Sequence, residues 1–163
     1  MTTLSNELVK LIDEAIDHEL VISELYLHFH QTFTEDRDFW WKIALEEKNH
    51  ASILINIKAL SKTVNHLPES LIPDNPAFYQ MEKDKILAAI SNIDKNLTRE
   101  TAFQLAYDTE ISSGEEHYRL FVENQSEPNV FKVFQQLSNQ DNDHASRILE
   151  YAQENGIRIR HKE

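Results

Sequence analysis

Glu46-Glu47-Lys48-Asn49-His50-Ala51 lies inside a long segment whose apolar residues recur every three or four positions. Glu47 and His50 are three residues apart, one turn of a helix, so they share a face. Trp40, Ile43, Ala44, Leu54 and Ile57 belong to that same face. A second stretch, Asp141-Asn142-Asp143-His144, repeats the arrangement among Phe134, Leu137, Ala145, Ile148 and Ala152. An acid on an apolar stripe is a strong statement. Burying an ionised carboxylate is very costly unless it is paired or binds a metal.

Two more segments of helical period extend the pattern. One carries Leu8, Leu11, Ile12, Ala15, Ile16, Ile22, Tyr26, Phe29 and Phe33, with Glu19 in the stripe. The other carries Phe103, Ala106, Tyr107, Gly114, Tyr118 and Phe121, with Glu110 in the stripe. The spacing predicts four long helices over about 5–33, 38–64, 98–124 and 129–155. Ser5 is the expected N-cap of the first, and Gly156 the expected stop after the last. Tight polar breaks join the first helix to the second and the third to the fourth. Between the pairs lies a crossover over about 66–97, opened by Pro68, Pro73 and Pro76, with a shorter helix expected over about 81–96. Two glycines and four prolines in 163 residues leave the helices uninterrupted and argue against a turn-rich sheet. The expectation is one all-α domain spanning 1–163, built as two helical hairpins joined by a long crossover.

The acid-x-x-His spacing alone carries little weight. With 28 acids and 8 histidines it would arise by chance about 1.4 times in a chain of this length. Its weight comes from the apolar faces, from a lone Glu upstream of each motif, and from the repetition of the whole order. Carboxylate then carboxylate-x-x-His, twice, is the ligand pattern of a dinuclear metal site in a four-helix bundle. Glu19, Glu47, His50, Glu110, Asp141 and His144 are the expected ligands. Four carboxylates packed together would repel. Two divalent cations would balance them, with two neutral imidazoles completing the set. Carboxylate with some imidazole suits iron or manganese.

At these residues the chain resembles the ferritin-like superfamily, and within it the rubrerythrin-type diiron proteins. Glu19-Leu20-Val21-Ile22-Ser23-Glu24-Leu25-Tyr26 is similar to that family's ligand Glu followed by Tyr seven residues on. Glu46-Glu47-x-x-His50 resembles its second-helix motif, Glu110 with Tyr118 its third helix, and Asp141-x-x-His144 fills the fourth-helix position. The resemblance covers about 5–155. It implies a ferritin-like bundle with two iron ions (manganese or a mixed pair being alternatives). Glu47 and Asp141 would ligate or bridge, Glu19 and Glu110 complete the shells, and His50 and His144 each bind one ion. Tyr26 and Tyr118 would be donors behind the ligands. The implied activity is oxidoreductase chemistry toward dioxygen or peroxide, of ferroxidase or peroxidase type. Non-catalytic iron storage, and oxidation of an organic substrate, stay open as alternatives.

The departures matter as well. Asp141 stands where Glu is usual, and its shorter arm reaches less far. Ser113 stands where rubrerythrins carry an extra, mobile Glu. Zero cysteines mean no rubredoxin-type iron site, thiolate zinc site or disulfide, so electrons must come from an external donor. Met1 and Met81 are the only methionines and neither is on the second helix, so no haem is expected. The chain ends soon after the fourth helix, so the fifth helix of cage ferritins is not expected.

The net charge of −12 opposes nucleic acid or an anionic membrane as partners. No stretch approaches the roughly 20 apolar residues of a membrane span. No basic start with an apolar run opens the chain, so a cytoplasmic protein is expected. A homodimer through an apolar helix face is a further expectation.

The remaining polar residues get lesser roles. Ser112-Ser113-Gly114 either leaves room beside the metals, permits a π-bulge, or allows close helix packing. His30 and His117 lie 11 and 7 residues beyond Glu19 and Glu110, roughly 16 and 10 Å along the axis. Packing or capping is therefore expected of them, and exposure of His18 and Glu24. Phe39, Trp40 and Trp41 are expected in core or interface.

Overall fold

A computed structural model describes residues 6–61, 77–92, 97–123 and 128–160. Among them it is an all-helical bundle of five helices with no strand. They are α1 (Asn6–Thr32), α2 (Arg37–Ser61), α3 (Phe78–Asn92), α4 (Arg99–Glu123) and α5 (Pro128–Glu154). No helix of the described residues is long and apolar enough to cross a membrane. The proline-rich start of the crossover lies outside the described residues.

Local chemistry sets the helix ends. Thr98 caps α4, its Oγ1 accepting from Thr101 N at 3.2 Å. Gly156, with φ of 70°, ends α5: its N–H reaches Gln153 O at 3.3 Å and Ile157 N reaches Ala152 O at 2.8 Å. That pair of bonds is a Schellman close, and it turns Ile157 into the core. Helix α3 begins at Phe78, three residues before the expected Met81. The ring of Tyr79 packs 5.2 Å from that of His18, and this tertiary contact holds the earlier turn in place. Met81 itself is exposed.

The helices α1 with α2 and α4 with α5 form two closely packed hairpins. Two apolar clusters fill the bundle. One gathers Leu11, Ile12, Ala15, Leu54, Tyr79, Phe134 and Leu137. The other gathers Leu25, Tyr26, Phe29, Trp40, Ile43, Ile86, Phe103 and Ile148 around packed aromatic rings, Trp40 lying tilted 4.5 Å from Phe103. The first joins the start of α1 to the end of α2 and the start of α5. The second joins the end of α1 to the starts of α2 and α4 and the end of α5. Tyr79 and Ile86 of α3 belong to different clusters, so α3 runs beside α1 from one cluster to the other. It thereby carries the chain from the end where α2 stops to the end where α4 starts.

One polar clip ties the hairpins together. Asp36, buried in the α1–α2 turn, accepts two bonds from Arg99, at 2.6 and 2.8 Å, and one from Tyr151 OH at 3.1 Å. Trp40 is fully buried as expected, whereas Trp41 is 47 % exposed.

Candidate metal centre

Between the two apolar clusters lies a band of buried charge. Glu19 of α1, Glu47 and His50 of α2, Glu110 of α4, and Asp141 and His144 of α5 come together, each at most 2 % exposed. All six sit where helical period puts them, on faces that packing forces inward. Two groups have ligand atoms mutually within 4.8 Å: Glu19, Glu47, His50 and Asp141, and Glu47, Glu110 and His144. Glu47 belongs to both.

The imidazoles aim Nδ1 at the carboxylates. His50 Nδ1 stands 3.0 Å from Glu47 Oε2, 3.3 Å from Glu19 Oε2 and 3.7 Å from Asp141 Oδ1. His144 Nδ1 stands 2.5 Å from Glu47 Oε1 and 3.5 Å from Glu110 Oε2. The two rings lie nearly parallel, 5.3 Å apart. Despite these short approaches, Glu19 Oε1, both oxygens of Glu47, Glu110 Oε2 and His144 Nδ1 have no hydrogen-bond partner. Buried polar atoms are ordinarily paired, so orphans converging on one spot are what a cation-binding cage presents. The donors present, carboxylate and imidazole, suit such an ion.

Behind these six side chains stand their supports. Tyr26 OH donates to Glu110 Oε1. His144 Nε2 lies 2.9 Å from Glu46 Oε2, which also accepts from Arg147 at 2.6 Å. The outer bond fixes which nitrogen of His144 faces inward. Tyr118 lies on α4, but its side chain is outside the described residues. Glu46 is the half-buried partner of Glu47, quoted in the motif yet given no role by sequence. Only its meeting with α5 reveals one.

Two expectations about histidine are corrected. His18 is fully buried, and its Nε2 lies 2.8 Å from Ser113 Oγ. The side of α1 that looked free is covered by α3, whose Phe78 and Tyr79 contact the His18 ring. His117 is no remote packing residue. Its Nδ1 lies 2.7 Å from Asp141 Oδ2 and its Nε2 3.5 Å from Glu19 Oε1. Sequence distance from Glu110 misled because α5 runs antiparallel to α4. Asp141, one turn before His144, is therefore displaced toward the end of α4 where His117 sits, and helical side chains lean back toward their own N-terminus. His30, by contrast, bonds the Arg37 carbonyl at 2.8 Å, and Glu24 is exposed.

At Ser112-Ser113-Gly114, α4 is unbroken α-helix, so no π-bulge forms. Ser113 is taken by His18. Ser138 Oγ donates to the Gly114 carbonyl at 2.9 Å, and a Cβ on Gly114 would meet Asp141 Cβ at 3.4 Å. At Gly114, α4 and α5 come close enough for a Cβ to make ordinary contact with α5.

Electrostatics follow from burial and mutual pairing. Burial pushes the Glu19 carboxyl up to about 8, against its hydrogen bond from His50. Burial and then the charge of Glu47 push Glu110 up to about 7. Glu47 is held below the ordinary range: burial opposes this, but His144 and His50 outweigh it. Burial works against the charge on His50 too, yet Glu19 and Glu47 raise it to about 11. His144 and His117 are likewise raised against burial, chiefly by Glu110 and by Asp141. Burial drives His18 down to about 3, so it stays neutral.

An opening of about 220 Å³ between α2 and α5 leads to the centre, lined by Glu46, Asn49, His50, Gln140, Asp143, His144 and Arg147. A larger groove of about 920 Å³ lies between α4, α5 and the 157–160 tail, and shares no residue with the centre. No protein-family model, curated protein or solved structure matches this chain, so its centre is read from its own residues.

Proposed function

We propose that this chain is a ferritin-like protein of rubrerythrin type, holding a carboxylate-bridged pair of iron ions (or manganese, or one of each) for redox chemistry with dioxygen or peroxide. The observation that carries this is Glu47. It is shared by two ligand groups, and neither of its oxygens has a hydrogen-bond partner. The order of ligands along the chain, and α3 running back along α1, support the ferritin-like reading.

Bound iron or manganese would supply Lewis acidity and electrons to an O–O bond. The chain supplies the rest. Glu47 would span both ions, with Glu19, His50 and Asp141 on one side and Glu110 and His144 on the other. Glu46 orients His144, and Tyr26 holds a proton against Glu110. The two apolar clusters exclude water from above and below. A small opening lined by charged and amide side chains favours small inorganic reactants over an organic substrate. With no cysteine in the chain, electrons come from an external donor, and a cytoplasmic setting suits that need.

The test is metal content after anaerobic loading, followed by stopped-flow mixing with dioxygen and with peroxide. Two ions per chain, oxidised on mixing and lost in Glu47→Ala, are expected. Wild type and Glu47→Ala behaving alike would overturn the proposal.

A further inference from the structure

We propose that His117 is a further metal ligand, acting through Nε2 on the Glu19 side, so that the two ions are held unequally. This rests on the dinuclear centre proposed above. His117 is fully buried and hydrogen-bonds through Nδ1 to Asp141 Oδ2 at 2.7 Å. A carboxylate only accepts, so the proton of that bond sits on Nδ1. Nε2 is then free to present a lone pair, and it stands 3.5 Å from Glu19 Oε1. Neither atom has a hydrogen-bond partner. A lone pair facing an ionised carboxylate oxygen in a dry interior is repulsive, and neither atom reaches a partner in hydrogen-bond geometry. A cation between them resolves both problems.

The spacing suits one shared ion. Ligand atoms about 2.1 Å from a metal stand about 3.0 Å apart at right angles and about 4.2 Å apart across it. The 3.5 Å separation falls between these limits. Both partners of His117 already belong to the Glu19-side group. Glu19 turns its other oxygen to His50 at 3.3 Å, and Asp141 turns its other oxygen to the same nitrogen at 3.7 Å. Asp141 therefore aims one oxygen at the ion and uses the other to fix the tautomer of a second imidazole.

The centre becomes lopsided. One ion has Glu19, Glu47, His50, Asp141 and His117. The other has Glu47, Glu110 and His144, leaving positions open for a reactant. The Glu19-side ion fills first and leaves last.

An anaerobic Co²⁺ titration tests this by calorimetry and by proton NMR of the hyperfine-shifted imidazole N–H signals. In wild type, two unequal steps are expected, with signals from two histidines at the first equivalent and a third at the second. His117→Gln should weaken the first step at least tenfold while the stoichiometry stays at two. His18→Gln, buried nearby but bonded to Ser113, should leave that step unchanged. A single histidine signal at the first equivalent would overturn the inference, as would an unweakened first step in a folded His117→Gln, or equal weakening by His18→Gln. Should His117→Gln not fold, as judged by circular dichroism, the wild-type signals decide alone. If wild type takes up no Co²⁺, the dinuclear centre falls too; two ions bound with one histidine signal overturns only the role of His117.

Discussion

The Nε2 of His144 lies 2.9 Å from Glu46 Oε2, while its Nδ1 faces Glu47, the very next residue of α2. Consecutive glutamates thus hold one ring from both sides. Replacing Glu46 by Gln keeps the shape and removes the charge. Since Glu46 is half-buried, the fold should survive. Affinity for the ion on the His144 side should fall about tenfold to a hundredfold. Calorimetric titration of the variant reads this, and an unchanged second step would show the contact to be incidental.

Tyr26→Phe removes the hydroxyl that donates to Glu110 and leaves the ring stacked 5.6 Å from Trp40. A buried carboxylate oxygen then loses its donor. The metal-free variant should lose about 1–3 kcal/mol of stability in urea titration. Metal loading should recover part of this, because a bound cation engages the same carboxylate.

The metal-free protein should weaken on the alkaline side. Glu19 rises to about 8 and His50 to about 11 in the folded chain, so both keep protons that the unfolded chain releases. Their stabilisation is present at low pH and is lost as pH climbs from about 4.5 to 8 and from about 6.5 to 11 respectively. Glu46, lowered to about 2 by His144 and Arg147, acts oppositely and loses its contribution below about 4.5. Denaturation midpoints across pH should therefore peak at about pH 4.5 and fall above it. Metal uptake must expel the same protons, so an indicator dye should record acid release on loading at pH 7.

Asp36→Ala breaks the clip between the hairpins. Asp36 is buried, while the Arg99 side chain keeps 29 % of its exposure, so part of the charge can be resolvated. A loss of about 2–4 kcal/mol is expected, somewhat less than for a wholly buried pair. Metal stoichiometry should stay at that of wild type, because the clip sits at the end of the bundle beyond the aromatic cluster.

Gly114→Ala tests the close packing of α4 on α5. The nearest atoms to the added methyl would be 3.4–3.6 Å away, which is ordinary contact. Removing a helical glycine should then stabilise the metal-free fold by roughly 0.5–1 kcal/mol. A loss in thermal melting would mean that Asp141 is forced to shift.

The helices and the six converging side chains were legible because both follow from one period. A residue that repeats with Leu11 and Ile22, or with Phe134 and Ile148, must turn inward whatever its chemistry. His117 was not legible. Its distance from Asp141 depends on the relative shift of two antiparallel helices, which no single-helix count contains. His18 was missed because the flank it occupies is covered by α3, and α3 reaches it only through tertiary packing. Asp36 resembled an ordinary polar turn. Its value comes from Arg99 and Tyr151, which approach from the other hairpin.

The charged band divides the interior into two dry compartments stacked end to end. Apolar burial alone cannot stitch them together, since four acids and three imidazoles lie at the seam. In hydrogen-exchange terms, the unloaded chain should open as two separate blocks. Filling the seam with cations should make them exchange as one, so the ions proposed for the chemistry would also act as the molecule's mortar.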